Sequence, residues 1–295
     1  MKKFELTSDF KMYLGMKLFR IKALVDFGNV KAGDLGGYIE KEKNLSHNGN
    51  AWVSDNAWVY GDGRVSGNAQ VYDNAWVYGD ARVSGYARVS GNARVYGDAW
   101  VYDNAWVSGD GRVSGYARVS GNALVSDDGR VSGNARVYGN TRVCGNARVF
   151  GYARVSDNAR VSDNAWVYGD AWVYGDGQVY GNAWVYDNAW VYGDARVYDN
   201  ARVCGNARVY GDAWVYDNAG VCGNADILQI TGLGTEHRPT TVFRAEDGIK
   251  VACGCFLGDL GQFRERVKNT RTGKVQEEYL KFAELVEIYF GEEGK

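Results

Sequence analysis

Proline is almost missing from this chain, one residue in 295, which excludes a collagen-like triple helix and a proline-rich linker. Long apolar runs are missing too. No stretch approaches the 18 apolar residues of a membrane span, and residues 1–15 alternate charged and apolar side chains without the apolar run of a signal peptide. A cytoplasmic protein with no membrane role is the expectation. The five cysteines are odd in number and have no close even spacing, so they do not form a secreted disulfide framework. Between residues 48 and 227 there is no lysine, no glutamate and no histidine, and Thr141 is the only threonine. A threonine ladder for ice recognition is thereby excluded. With 45% apolar residues, 14% aromatic residues and a net charge of -2, the chain is too aromatic for disorder and should fold.

What is present is a period. From Val53 to Val221 a valine stands at every sixth position, Ile227 fills the next slot, and two residues before each is a small residue. That residue is nearly always Ala, replaced only by Gly63, Gly111, Gly129, Gly177 and Thr141 before a valine. Side chains of a strand alternate faces, so Ala and Val point inward while the intervening Trp or Arg, and the Tyr or Ser after each Val, point outward. The Gly-Asn, Gly-Asp and Asp-Asn pairs between strands tolerate turned backbone at little cost. One strand of this length cannot bury its valine alone, so the units must stack as a solenoid. Three bends close a triangle, and 18 residues per coil make ten coils over 48–227, about 48 Å long at the spacing of paired strands.

An aliphatic residue followed four places later by a small one, as in Val53 to Ala57 or Val95 to Ala99, resembles the hexapeptide-repeat left-handed β-helix. The fold class expected is therefore an all-β solenoid, a left-handed triangular parallel β-helix with capped ends. Residues 1–47 read as an N-terminal cap, 48–227 as the β-helix and 228–295 as a small α+β module. In that module Thr240–Arg244 and Gly248–Cys253 form a hairpin, followed by helices near Asp259–Lys268 and Val275–Phe290. The segments 19–24, 31–40 and 44–47 resemble the N-terminal cap of bacterial YdcK-like hexapeptide-repeat proteins, which are classed as transferases on the strength of the repeat. Residues 240–290 resemble a module of unassigned function in bacterial and phage-associated proteins. Fold-level likeness supplies no chemistry by itself.

Hexapeptide acyltransferases use a histidine base, because acyl transfer needs one within hydrogen-bond reach of the acceptor. Here His47 and His237 stand at the two boundaries of the repeat, and both are expected to be structural or merely exposed. Cys204 and Cys222, 18 residues apart, stack in adjacent coils and are expected to be free thiols in a reducing compartment. Cys253 and Cys255 fall on one strand face and are expected to pack in a core, since zinc needs four ligands. No catalytic, metal or cofactor residue is assigned.

The outward slots carry the candidate surfaces. Trp58 and Trp76 share a face with Trp166 and Trp184, and Trp172 and Trp190 stack beside the ladder Tyr174, Tyr192 and Tyr210. Monomers seldom expose so much contiguous aromatic area. The second surface is an arginine girdle of Arg112, Arg118, Arg130, Arg136, Arg142, Arg148, Arg154 and Arg160, eight arginines against three aspartates between residues 111 and 162. The function expected is a rigid, non-enzymatic solenoid that presents these faces to a protein partner or to its own copies. An acyltransferase-like enzyme is the second reading, and polyanion or nucleic-acid binding through the girdle the third.

Overall fold

The computed structural model describes residues 1–291, which divide into two compact units, Met1–Asn164 and the residues from Ala165 onward. In the first, strands Phe4–Tyr13 and Met16–Ala23 form an antiparallel hairpin, turned at Leu14 and Gly15 with φ of 47° and 81°. Leu35–Ile39 pairs antiparallel with the second of these strands and parallel with Trp58–Val59. That strand is where the sheet changes direction and the coils begin.

Each hexad then contributes a two-residue strand paired in parallel with the residues 18 further on, as in Arg112↔Arg130 and Val113↔Val131. Coils donate forward: the Arg112 N–H donates to the Gly129 carbonyl at 2.9 Å and that of Ser114 to Val131 at 3.0 Å. Val113, Val131, Ala117 and Ala135 are all 0% exposed; burying each valine contributes about 1.5 kcal/mol. The inward reading of Ala and Val holds along both units, which together carry about ten coils.

The corners show why only two residue types follow the outward Tyr or Ser. That slot lies in the left-handed region, with φ of 53° at Asp127, 59° at Asp103 and 65° at Gly133, where glycine is unstrained and Asp is tolerated. Aspartate has a further use. The Asp73 and Asp127 carboxylates accept the N–H groups of Gly91 and Gly145 in the following coil, at 3.0 and 3.3 Å. The neighbouring asparagines form an edge ladder, Asn122 donating to Asn140 at 2.9 Å and Asn140 to Asn158 at 3.1 Å.

The open end of the first coil is closed by Lys3, 2% exposed, whose ammonium donates to the carbonyls of Ala51 and Gly49 at 2.7 and 3.3 Å and lies 4.7 Å from the Phe27 ring centroid. Burial lowers its pKa to about 8. Thr141 is the one imperfect inward slot, because its hydroxyl is buried without a hydrogen-bond partner. Thr141→Ala should therefore raise stability by about 1 kcal/mol, the desolvation cost of the hydroxyl outweighing one lost methyl. A lowered urea midpoint would contradict this.

In the second unit the coils run through Gly220–Val221. Ile227 is not a further rung. The Asp226 carboxylate accepts the N–H groups of Cys222 and Gly223 at 2.9 and 2.8 Å, folding the chain into a short turn, and Ile227 opens an antiparallel strand, Ile227–Leu233, paired with Arg238–Ala245. The expected hairpin follows, with Ala245 opposite Gly248, and Phe256–Gly258 completes a four-stranded sheet. Helix α1, Leu260–Thr270, starts at a reciprocal cap in which Gln262 N–H donates to Asp259 Oδ1 at 2.8 Å and Asp259 N–H to Gln262 Oε1 at 3.0 Å. Helix α2 spans Gly273–Phe290; Phe263, Phe282, Val286, Val242 and Val251 form the core between helices and sheet.

The cysteines differ from expectation. Cys204 and Cys222 do stack in adjacent coils, but as a disulfide, with Cα atoms 4.2 Å apart, not as free thiols. Gly254, at φ 59°, turns the chain after Cys253, so Cys255 lies beyond the strand and exposed instead of in a core.

Candidate interaction faces

Arginine columns. Arg112, Arg130 and Arg148 are paired in successive coils on one face, Arg118, Arg136 and Arg154 on a second, and Arg142 and Arg160 on the third, with Leu124 preceding Arg142. All eight lie in the first unit. Among the described residues Arg112, Arg118, Arg130, Arg136, Arg142 and Arg160 form no ion pair. Two columns start earlier than composition suggested: Arg94 precedes Arg112 and lies 4.8 Å from the Trp76 centroid, and Trp100 sits between Arg82 and Arg118 at 4.9 and 5.2 Å. The 18-residue spacing from Arg94 to Arg112 was the available signal. Like charges one strand spacing apart repel, and an arginine fork suits carboxylate or phosphate.

Aromatic ladders. In the second unit Trp166 and Trp184 stack at 5.4 Å, Trp172 and Trp190 at 5.2 Å, and Tyr174, Tyr192 and Tyr210 at 4.9 and 5.4 Å. Arg202 and Arg208 cover the next faces of Trp184 and Trp190, at 5.7 and 4.8 Å. Many ring faces are therefore spent on neighbours, while Trp184 and Tyr210 remain exposed. These contacts stabilise the sheet as cross-strand pairs do.

One expected open surface is covered by the chain itself. Trp58 and Trp76 stack at 4.9 Å, but Tyr13 of the N-terminal hairpin packs edge-on against both, at 5.1 and 5.4 Å, and tilted on Tyr60 at 5.7 Å. Leu18 and Tyr38 complete this small core. Trp58 and Trp76 thus anchor the hairpin.

The two histidines lie outside the stacked coils. His47 Nδ1 accepts the Lys3 N–H at 3.1 Å, Nε2 meets Glu42 at 2.7 Å, and the ring stacks on Phe4 at 4.4 Å. With Nδ1 an acceptor, the proton sits on Nε2 and both nitrogens are engaged. The same His47 bond, then Lys2, holds the Glu42 carboxyl below its usual range. His237 is exposed at a turn, 3.1 Å from the Gly232 carbonyl. Burial, then Asp127 and Asp163, pushes the Cys144 thiol up. No three of His, Cys, Asp or Glu group to hold a metal among the described residues, and none of their helices is long and apolar enough to cross a membrane.

Comparison with known proteins agrees with this architecture. Residues 69–85, 87–103, 117–132, 129–145, 141–157, 153–169, 159–175, 178–193 and 201–217 match the family model of the YdcK beta solenoid repeat. No curated protein matches the chain. Parallel in-register coils and the recurring match together show that the chain carries a β-solenoid repeat similar to that of the YdcK family.

Proposed function

We propose that this protein is a non-catalytic binding solenoid whose arginine columns dock an acidic protein surface. The observation that carries the reading is that six arginines, stacked in register on three faces of one unit, have no ion-pair partner among the described residues. A partner carboxylate placed between two such forks would relieve their repulsion and accept bidentate hydrogen bonds. The engagement of both His47 nitrogens supports a non-enzymatic reading over an acyltransferase one. The acidic surface of a second copy is one partner of this kind, since residues 163–227 carry nine aspartates against three arginines.

Poly-glutamate binding, followed by anisotropy across a salt series, tests this. Binding should weaken steeply with salt and fall at least tenfold in the double variant Arg130→Ser, Arg136→Ser, about 1.4 kcal/mol. No binding at low salt, together with unchanged sedimentation of the double variant, would remove the proposal. Tighter binding of duplex DNA than of poly-glutamate would replace the acidic protein with a nucleic acid.

A further inference from the structure

A concavity of about 750 Å³ lies in the first unit, between the segment Glu42–His47 and the outward face of the first coils. Its size suits a small organic ligand. Arg64 and Arg82 line it as a register pair. Neither forms an ion pair among the described residues. The nearest acids are engaged elsewhere: Asp62 by Lys43 and Lys41 at 2.6 and 3.4 Å, and Glu42 by His47 and Lys2 at 2.7 and 3.5 Å.

The remaining polar groups of the cleft are hydroxyls. Ser66 and Ser84 also line it, and neither side chain has a hydrogen-bond partner among the described residues. The Arg82 guanidinium lies 4.9 Å from the Trp100 centroid; stacking of this kind fixes the plane of the fork and leaves its N–H edge available. Two unpaired cations and two free hydroxyls on one side of a walled cleft form a surface rich in donors and poor in acceptors.

The geometry points to a binding site for a small ligand bearing an oxyanion, phosphate or carboxylate, held between Arg64 and Arg82 with Ser66 and Ser84 as further donors. Arg64 and Arg82 head the column that continues past Trp100 to Arg118, Arg136 and Arg154, and the site uses none of the eight arginines of the proposed docking face. Binding moves no covalent bond; the ligand supplies the missing counter-charge.

The full chain titrated calorimetrically with glucose 6-phosphate, inorganic phosphate and citrate tests the site. At least one probe should bind saturably at one site per chain, and the phosphate and citrate arms decide which oxyanion is preferred. Affinity should fall at least tenfold in Arg64→Ser and in Arg82→Ser and stay unchanged in Arg130→Ser, while Arg64→Lys, which keeps the charge and loses the fork, falls between. No saturable binding of any probe up to about 10 mM, or a loss in Arg130→Ser equal to that in Arg64→Ser, would overturn the assignment. The Arg130 control also separates failure of this site from failure of the docking face.

Discussion

Gly129→Val should cost the first unit at least about 3 kcal/mol, the largest effect of any single change considered. A Cβ at Gly129 would stand 2.7 Å from the Val143 carbonyl oxygen and 2.9 Å from that of Ser126. Both obstacles are backbone, so no side chain can swing aside. Ser126 O accepts the Gly129 N–H at 2.9 Å, which closes the corner, and the Val143 carbonyl accepts the Ser126 N–H at 3.0 Å from the preceding coil. Moving either oxygen therefore breaks a hydrogen bond of the stack. The neighbouring change Arg130→Val, on the exposed side of the same strand, should cost less than about 0.5 kcal/mol. Urea unfolding of the two variants is the comparison, and hydrogen exchange should place the loss of protection in the coils next to residue 129, as nearest-neighbour coupling in a solenoid requires. Equal stability of the two variants would show that the inward slot can expand.

Alkaline unfolding is the second large effect. Tyr60 and Tyr198 are raised well above the ordinary phenol range and Tyr216 to about 12, in each case first by burial. A neighbouring tyrosine adds to the shift for Tyr60 and Tyr198, and Asp217 for Tyr216. Tyr78 and Tyr168 shift the same way for the same first cause. An unfolded tyrosine ionises near 10, so below that pH the phenol is neutral in both states and its contribution to stability is complete. As pH rises from 10 towards 12 the unfolded chain ionises first and stability falls. Lys3 works in the opposite sense, adding stability between about 8 and 10.5, so its contribution is complete before the tyrosines dominate. Tyrosinate absorbance should lag in the folded protein and rise abruptly at unfolding, and Tyr198→Phe should move the alkaline midpoint upward. A urea midpoint that stays flat from pH 9 to 12 would rule the tyrosine ladders out as the cause.

The solenoid was legible because one number, six, carried both the strand and the bend. Val113, Val131 and Val149 could be assigned inward, and Arg112, Arg130 and Arg148 to one column, without any coordinates. Where the period ends, so does that legibility. Ile227 occupies the slot of a valine, yet the bonds from Cys222 and Gly223 to Asp226 redirect the chain just before it. Tyr13 reaches Trp58 and Trp76 from a hairpin far away in sequence, and alternation alone could not say which face that hairpin would cover. The cleft of Arg64 and Arg82 needs the wall at Glu42–His47, whose residues carry no periodic signal. The corner aspartates were visible as turn formers; that their carboxylates reach the following coil depends on a stacking distance no single hexad contains.

Because partners stand 18 residues apart while the sequence repeats every six, the hexad and the coil obey different rules of inheritance. Loss or gain of a single hexad would keep every valine inward and every corner intact, yet turn all later outward residues by one face, so that Arg130 would leave the line of Arg112. Only a change of three hexads returns each column to itself. Folding tolerates edits by the hexad, whereas the surface pattern survives only edits by the whole coil, and lineages of such proteins should differ in length by whole coils wherever a face is in use.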